Sequence, residues 1–168
     1  FASATSIVKH AISSTHPQAP LRGMKIQAKE DKLTLTGSNS DISIELVIPS
    51  DDDNHLVIVE EGTILIESRY LLDIVKKMDS EIITIEVIDG SLTRFSGERA
   101  VYKINGMNVF DYPAIEFSKP EDSITMKTGM LKDIIDQTAF ATAVKETRPV
   151  LTGVNFRLED HVLKCTGT

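Results

Sequence analysis

Cysteine occurs once, at Cys165, so no disulfide can form within the chain, and the sequence fits a reducing cytoplasm. No local pattern makes that thiol reactive, and it reads as a small, buried strand residue. No apolar run approaches the roughly 18 residues that a membrane-spanning helix needs. The first residues lack a basic segment followed by an apolar block, so they do not read as a secretory signal. Aromatic residues are 5% of the chain, too few for the base-stacking platforms that bind single strands. The histidines, His10, His16, His55 and His161, stand apart, without the convergent spacing of metal ligands. Neither G-x-S-x-G nor H-E-x-x-H occurs. Gly153 leads into a strand pattern rather than a helix, so it cannot cradle a phosphate at a helix start. Glu159-Asp160 reads as a turn rather than a catalytic pair. No catalytic residue, metal or cofactor is expected.

What is present is an ordinary globular composition: 41% hydrophobic and 26% charged residues in a 168-residue chain, enough for one domain or a little more. The chain opens on Phe1 and stops within a strand pattern, which reads as a fragment of a longer protein. The net charge of −7 would by itself argue against nucleic acid. The charge is uneven, however. Acidic residues cluster in expected loops, at Asp51-Asp52-Asp53, Glu60-Glu61 and Glu121-Asp122, where they are solvated loop tips. Lysines gather on or just after expected helices, at Lys9, Lys76, Lys77, Lys132 and Lys145. An acidic protein can still turn one basic face to a polyanion.

The chain repeats itself. At an offset of 130, Ala11 falls on Ala141, Leu21 on Leu151, Gly23 on Gly153, Leu33 on Leu163, Thr36 on Thr166 and Gly37 on Gly167. A fixed-offset repeat marks a repeated structural unit. A shorter repeat lies inside it. At an offset of 60, Ile64 meets Ile124, Ser68 meets Thr128, Leu71 meets Leu131 and Ile74 meets Ile134. At 67, Ile7-Val8-Lys9 meets Ile74-Val75-Lys76.

Periodicity supplies the elements of that unit. Helices are expected over residues 6–14, 69–78 and 130–142, with Ser68 starting the second and Thr128 capping the third. Strands are expected over 21–29, 32–37, 42–48, 56–59, 64–66, 82–88, 92–95, 100–104 and 123–127, and in the alternating pattern that closes the chain. Asp89-Gly90 is a hairpin signal, and Glu30-Asp31 and Asn105-Gly106 are turns. The expected fold is α+β, built from repeated β-α-β-β-β units with antiparallel sheets and the helices on one side. Units too small to close their own cores, laid side by side, tend to form an arc or a ring. A lysine on one exposed helix face is ordinarily only solvated. If every repeat turns its helix to the same wall, those lysines form a surface for sequence-independent phosphate contact.

The phrase Glu146-Thr147-Arg148-Pro149-Val150-Leu151-Thr152-Gly153-Val154-Asn155-Phe156 strongly resembles the opening of the second domain of the bacterial DNA polymerase sliding clamps, the beta subunits of DNA polymerase III, in their Gram-positive form. Thr36-Gly37-Ser38-Asn39 with Ile42-Ser43-Ile44-Glu45 resembles that family's first domain, and Asp111-Tyr112-Pro113 the motif that closes it. The resemblance covers the whole chain. It implies residues 1–119 as a first clamp domain and 120–168 as the beginning of a second. It implies a non-catalytic homodimeric ring around duplex DNA, helices inward and sheets outward, that tethers the replicative polymerase.

The resemblance also implies sites. Lys9, Lys76, Lys77 and Lys132, with the loop residues Thr15 and Lys145, would face DNA; Thr15 stands where the family often has a basic residue. Arg148, Leu151 and Thr168 would begin a pocket for short peptides from the polymerase, the clamp loader and repair proteins. Arg99, Val101, Lys103 and Ile104 would lie on the edge that pairs with a second subunit. Two other readings remain at this stage. One is a protein-interaction scaffold with merely solvated lysines, and the other is an enzyme with an unrecognised site.

Overall fold

The computed structural model describes residues 1–168 apart from Lys119, Asp122 and Glu146. Three sequence expectations therefore touch positions outside the described residues: the end of the first domain at Lys119, Asp122 of the Glu121-Asp122 pair, and Glu146 of the quoted motif. The chain divides into two compact units, Phe1–Phe117 and Ser118–Thr168.

The first unit opens with α1 (Ala2–Val8), which continues as a 3-10 turn over Lys9–Ala11. Helix was expected as far as Ser14. It stops earlier because Ile12 is already extended, at φ −113° and ψ 124°. The Ser13-Ser14-Thr15 hydroxyls that follow compete for backbone partners and favour such exits. Ala4, Thr5, Val8, Ala11 and Ile12 are buried, whereas Ile7 is half exposed. Thr5 is tolerated inside because its hydroxyl donates to the Ala2 carbonyl at 2.8 Å.

A second 3-10 turn, Ala19–Arg22, leads into β1 (Gly23–Lys29), β2 (Lys32–Ser38) and β3 (Ser43–Pro49). With β4 (Gly62–Glu67) they form an antiparallel sheet in the order β3-β2-β1-β4. Along β3, Ile44, Leu46 and Ile48 face the core and Ser43, Glu45 and Val47 face outward, the period-2 signature of a sheet wet on one side. The strand expected over residues 56–59 does not form. Val57 and Val59 are exposed, and among the described strands β3 pairs with β2 alone. High β-propensity alone does not make a strand: among the described strands β3 keeps an open outer edge, yet residues 56–59 do not pair with it.

α2 (Ser68–Lys77) follows β4 directly. Ser68 does start this helix, but as its first residue and without a side-chain capping bond; its side chain is buried instead. β5 (Thr84–Asp89), β6 (Leu92–Ser96) and β7 (Val101–Asn105) form a second antiparallel sheet in the order β5-β6-β7. The Asp89-Gly90 hairpin forms as expected, and Gly90 takes φ +52°, which a glycine adopts without strain. Together, β4-α2-β5-β6-β7 is one complete β-α-β-β-β unit, and α1-β1-β2-β3 repeats its last four members. Both helices and both sheets share one core that includes Val8, Met24, Leu35, Ile66, Leu71, Val75 and Phe95. On the other face of the first sheet, residues 107–115 fold back and form a small second core. Tyr112 packs there with Leu21 and Leu65.

The second unit contains α3 (Thr128–Thr138), a 3-10 turn (Ala139–Ala141), another (Pro149–Thr152), and the hairpin β8 (Asn155–Glu159) and β9 (Val162–Thr166). The expected strand over residues 123–127 is absent, and Thr128 makes no side-chain capping bond. The long repeat holds at the level of hydrogen-bond register. Lys25↔Thr36 and Ile26↔Leu35 in the first unit become Asn155↔Thr166 and Phe156↔Cys165 in the second, each displaced by 130. The 3-10 turns at 9–11 and 19–22 recur at 139–141 and 149–152. No helix among the described residues is long and apolar enough to cross a membrane.

Candidate DNA-facing helices, peptide pocket and edge strand

α1 and α2 pack against each other and against the first sheet, which fixes which faces remain open. On α2, Leu71, Leu72, Ile74 and Val75 are buried, leaving Arg69, Tyr70, Asp73, Lys76 and Lys77 outside. The spacing is that of an amphipathic helix with a wide apolar stripe. Lys76 and Lys77 lie in the last turn, where a cation meets the negative end of the helix dipole. On α1 and its 3-10 extension the exposed face carries Lys9 and His10. Among the described residues, none of Lys9, Lys76, Lys77, Lys132 or Lys145 forms an ion pair. Their charge is therefore uncompensated at contact distance. Arg69 is engaged differently: its Nε lies 2.7 Å from Glu67, and its guanidinium stacks on Tyr70.

The structure separates Lys77 from Lys76. Lys77 lines a groove of about 420 Å³ with Tyr70, Asp73, Tyr102, Lys103 and Ile104. It thus lies beside β7, among residues expected at the subunit edge. Sequence reasoning missed Tyr70 and Asp73 in this groove. Their exposed helical positions were legible, but the strand they meet was not.

β7 pairs with β6 on one side and with no described strand on the other, so it presents an open edge. Val101 is 61% exposed and Lys103 is exposed, while Tyr102 and Ile104 are half-buried. Arg99 was expected on the strand itself. It is exposed in the preceding turn, which is closed by Gly97 N–H donating to the Ala100 carbonyl at 2.9 Å. Glu98 N–H donates to Ser80 Oγ at 2.9 Å and ties that turn to the α2–β5 loop.

Thr15 is exposed in the loop after the first 3-10 turn, with its hydroxyl 3.3 Å from that of Ser13. His16 Nδ1 accepts from the Gln18 N–H at 3.2 Å and so shapes the same loop.

In the second unit, Lys132 is exposed on α3 and Lys145 on the loop beyond it. Arg148 precedes the Pro149–Thr152 turn and is exposed. Its carbonyl accepts from Leu151 N–H at 3.0 Å, and the Leu151 carbonyl accepts from Ala143 N–H at 3.1 Å. Leu151 is half-buried and Thr168 exposed. Gly167, next to Thr168, packs on the Thr138 carbonyl, with room for no side chain. Leu151 and Thr168 therefore border the same segment, residues 138–143, with Arg148 at the start of the turn that carries Leu151.

Tyr112, noted in the sequence only as part of a closing motif, plugs the second core. Burial pushes its hydroxyl up to about 12, and that hydroxyl has no hydrogen-bond partner among the described residues. Lys25 Nζ lies 5.5 Å from the ring centroid. Cys165 is half-buried in β9. Among the described residues no three His, Cys, Asp or Glu side chains lie together as metal ligands would.

Two family models match the chain. The N-terminal domain of the DNA polymerase III beta subunit matches residues 1–116, and the central domain of that subunit matches residues 125–168. The beta sliding clamp of Halalkalibacterium halodurans is 40% identical over 163 residues, covering 96% of this chain and 43% of the relative. The crystal structure of the DNA polymerase sliding clamp from Bacillus subtilis superposes with a TM-score of 0.95 at 37% identity, covering 99% of this chain and 44% of that one. The DNA polymerase III beta chain from Streptococcus pneumoniae does so with a TM-score of 0.94 at 31% identity, covering 100% and 45%. The chain thus spans less than half the length of the relatives it matches. The two domain matches lie in chain order, and the likeness to solved clamps runs the length of the described fold. On these grounds the chain belongs to the DNA polymerase III beta subunit family, the bacterial sliding clamps.

Proposed function

We propose that this chain is part of a sliding clamp, a non-catalytic processivity factor of the bacterial replicative polymerase that encircles duplex DNA and acts in the cytoplasm. In this reading residues 1–119 are the first domain and 120–168 the beginning of the second. Two such proteins form the ring, with helices facing the DNA and sheets outside. Lys9, Lys76, Lys77, Lys132 and Lys145, with Thr15, face phosphates. Ammonium groups on flexible stems contact phosphates without reading bases, which suits a protein that must slide. Arg148, Leu151 and Thr168 begin a pocket for short peptides of the polymerase, the clamp loader and repair proteins. The β7 edge, with Arg99, Val101, Lys103 and Ile104, receives the second subunit. The groove holding Lys77 lies against that edge, so Lys77 belongs to the neighbourhood of both surfaces.

The observation that carries the reading is a repeated helix face bearing uncompensated lysines, within a fold that matches sliding clamps over its whole length. The double substitution Lys9→Glu with Lys76→Glu in the intact protein tests it. Both residues are exposed, so the fold is unaffected. Affinity for a short linear duplex, whose open ends no ring can retain, is expected to fall about tenfold or more at low salt, with a shallower salt dependence, because phosphate contacts are lost. Unchanged affinity would favour the scaffold reading, in which these lysines are only solvated.

A further inference from the structure

Phe110 is 95% exposed, the most exposed aromatic side chain of the first unit. It is also held rigidly. It sits at the centre of the 3-10 turn Val109–Asp111, where the Asn108 side chain accepts its N–H at 3.2 Å. The Tyr112 N–H closes the turn onto the Val109 carbonyl at 3.1 Å. On either side of Phe110, Val109 and Tyr112 pack down into the second core, so the turn is anchored at both ends with Phe110 turned out.

Beside it lies a cavity of about 480 Å³, lined by Thr63, Leu65, Ser91, Met107, Val109 and Phe110 among others. That size falls in the range of about 300–1,000 Å³ typical of sites for small ligands and side chains. The floor is preformed. Gly106 N–H donates to the Ser91 carbonyl at 2.9 Å and Met107 N–H to the Leu65 carbonyl at 2.7 Å. Gly106 also lies so close to the Leu65 carbonyl that a Cβ there would stand 2.9 Å from it. A rigid exposed aromatic beside a preformed apolar hollow is how binding hot spots are built.

Two acidic residues adjoin the lining, while the ammonium of Lys25, cross-strand from Leu65, is drawn over the Tyr112 ring. Asp89 adjoins Gly90 of the lining, and both are exposed. Asp111 adjoins Phe110, and its carboxylate lies 3.4 Å from the Asn108 side chain, which also lines the cavity. No lysine or arginine is among the lining residues.

We propose that this hollow is a second docking site, on the first unit, for a short segment of a partner protein that carries an aliphatic side chain flanked by basic residues. The aliphatic group fills the hollow against Met107 and Phe110, and the flanking cations meet Asp89 and Asp111. Complementary charge at such a rim selects the partner and speeds its arrival more than it adds affinity. The site lies in a different unit from Arg148, Leu151 and Thr168, and stands or falls independently of the clamp reading.

The test is a titration of the isotope-labelled chain with two peptides, acetyl-Lys-Leu-Leu-Lys-amide and acetyl-Glu-Leu-Leu-Glu-amide, followed by amide NMR. The proposal expects saturable shifts at Thr63, Ser91, Met107 and Phe110 with the basic peptide. It expects binding at least tenfold weaker with the acidic one, and loss of the shifts in Phe110→Ser. That variant removes an exposed side chain and leaves the fold intact. Absence of saturable shifts, equal binding of the two peptides, or shifts unchanged in Phe110→Ser would each overturn it. So would shifts that grow with protein concentration in the absence of peptide, which would assign the hollow to a second copy of this chain.

Discussion

Gly37 is fixed by what lies over it. A Cβ at this position would stand 2.7 Å from Ile12 Cγ1 and 2.9 Å from Val8 Cγ1, inside the seat of α1 on β2. Gly167, its partner in the long repeat, is pressed in the same way by Thr138 and Thr142 of the third helical segment. The repeated glycine is therefore a packing requirement that the sequence displays as a coincidence of letters. Gly37→Ala is expected to cost about 1–3 kcal/mol by overpacking. Gly62→Ala, where a Cβ meets nothing within 4 Å, is expected to stay within about 0.5 kcal/mol. Urea denaturation of the two variants checks the contrast. Tyr112 makes a second residue-scale prediction. Its folded pKa of about 12 lies above the ordinary value of 10, so the protonated form is favoured on folding. That contribution is complete below pH 10 and is lost as pH rises toward 12, because the unfolded chain ionises first. Over that window the wild-type chain is expected to lose about 1–2 kcal/mol more stability than Tyr112→Phe. Parallel pH profiles for the two proteins would contradict this.

The elements were legible where a local rule decides them. The apolar stripe of α2, the alternation of β3 and the Asp89-Gly90 turn each follow from a few neighbouring residues. Where a distant partner decides, the sequence was mute. Residues 56–59 and 123–127 have the composition of strands but pair with no described strand. Thr128 looks like a cap yet makes no capping bond, whereas Ser68 does begin its helix, with its side chain buried. The exposed lysines could be read from helical periodicity, but the neighbours of Lys77 depend on how α2 sits beside β7. The open edge of β7 gives the prediction at this scale. In the intact protein, Val101→Asp with Lys103→Glu alters two exposed positions and leaves the fold unchanged. It is expected to weaken self-association at least tenfold by sedimentation. An unaltered dimer would remove β7 from the interface.

At the scale of the whole molecule the repeat organises everything else. The same hydrogen-bond register, the same two 3-10 turns and the same pressed glycine recur 130 residues apart. A sheet-and-helix unit that recurs with one geometry in each domain is the raw material for a closed ring, and the first unit already contains one complete copy and most of another. The two copies differ at one edge: β1 is paired on both sides, by β2 and β4, whereas among the described strands its counterpart β5 is paired by β6 alone. The net charge of −7 gave no hint of DNA, because the acidic residues cluster in loops while the lysines of interest lie on or just beyond helices. The central claim is that the intact protein holds DNA by enclosing it. Loading it onto a nicked circular duplex and then cutting that circle with a restriction enzyme measures this directly. Protein retained on the circle in moderate salt is expected to be released within minutes of linearisation. Equal retention on the circle and on the linear product would contradict it.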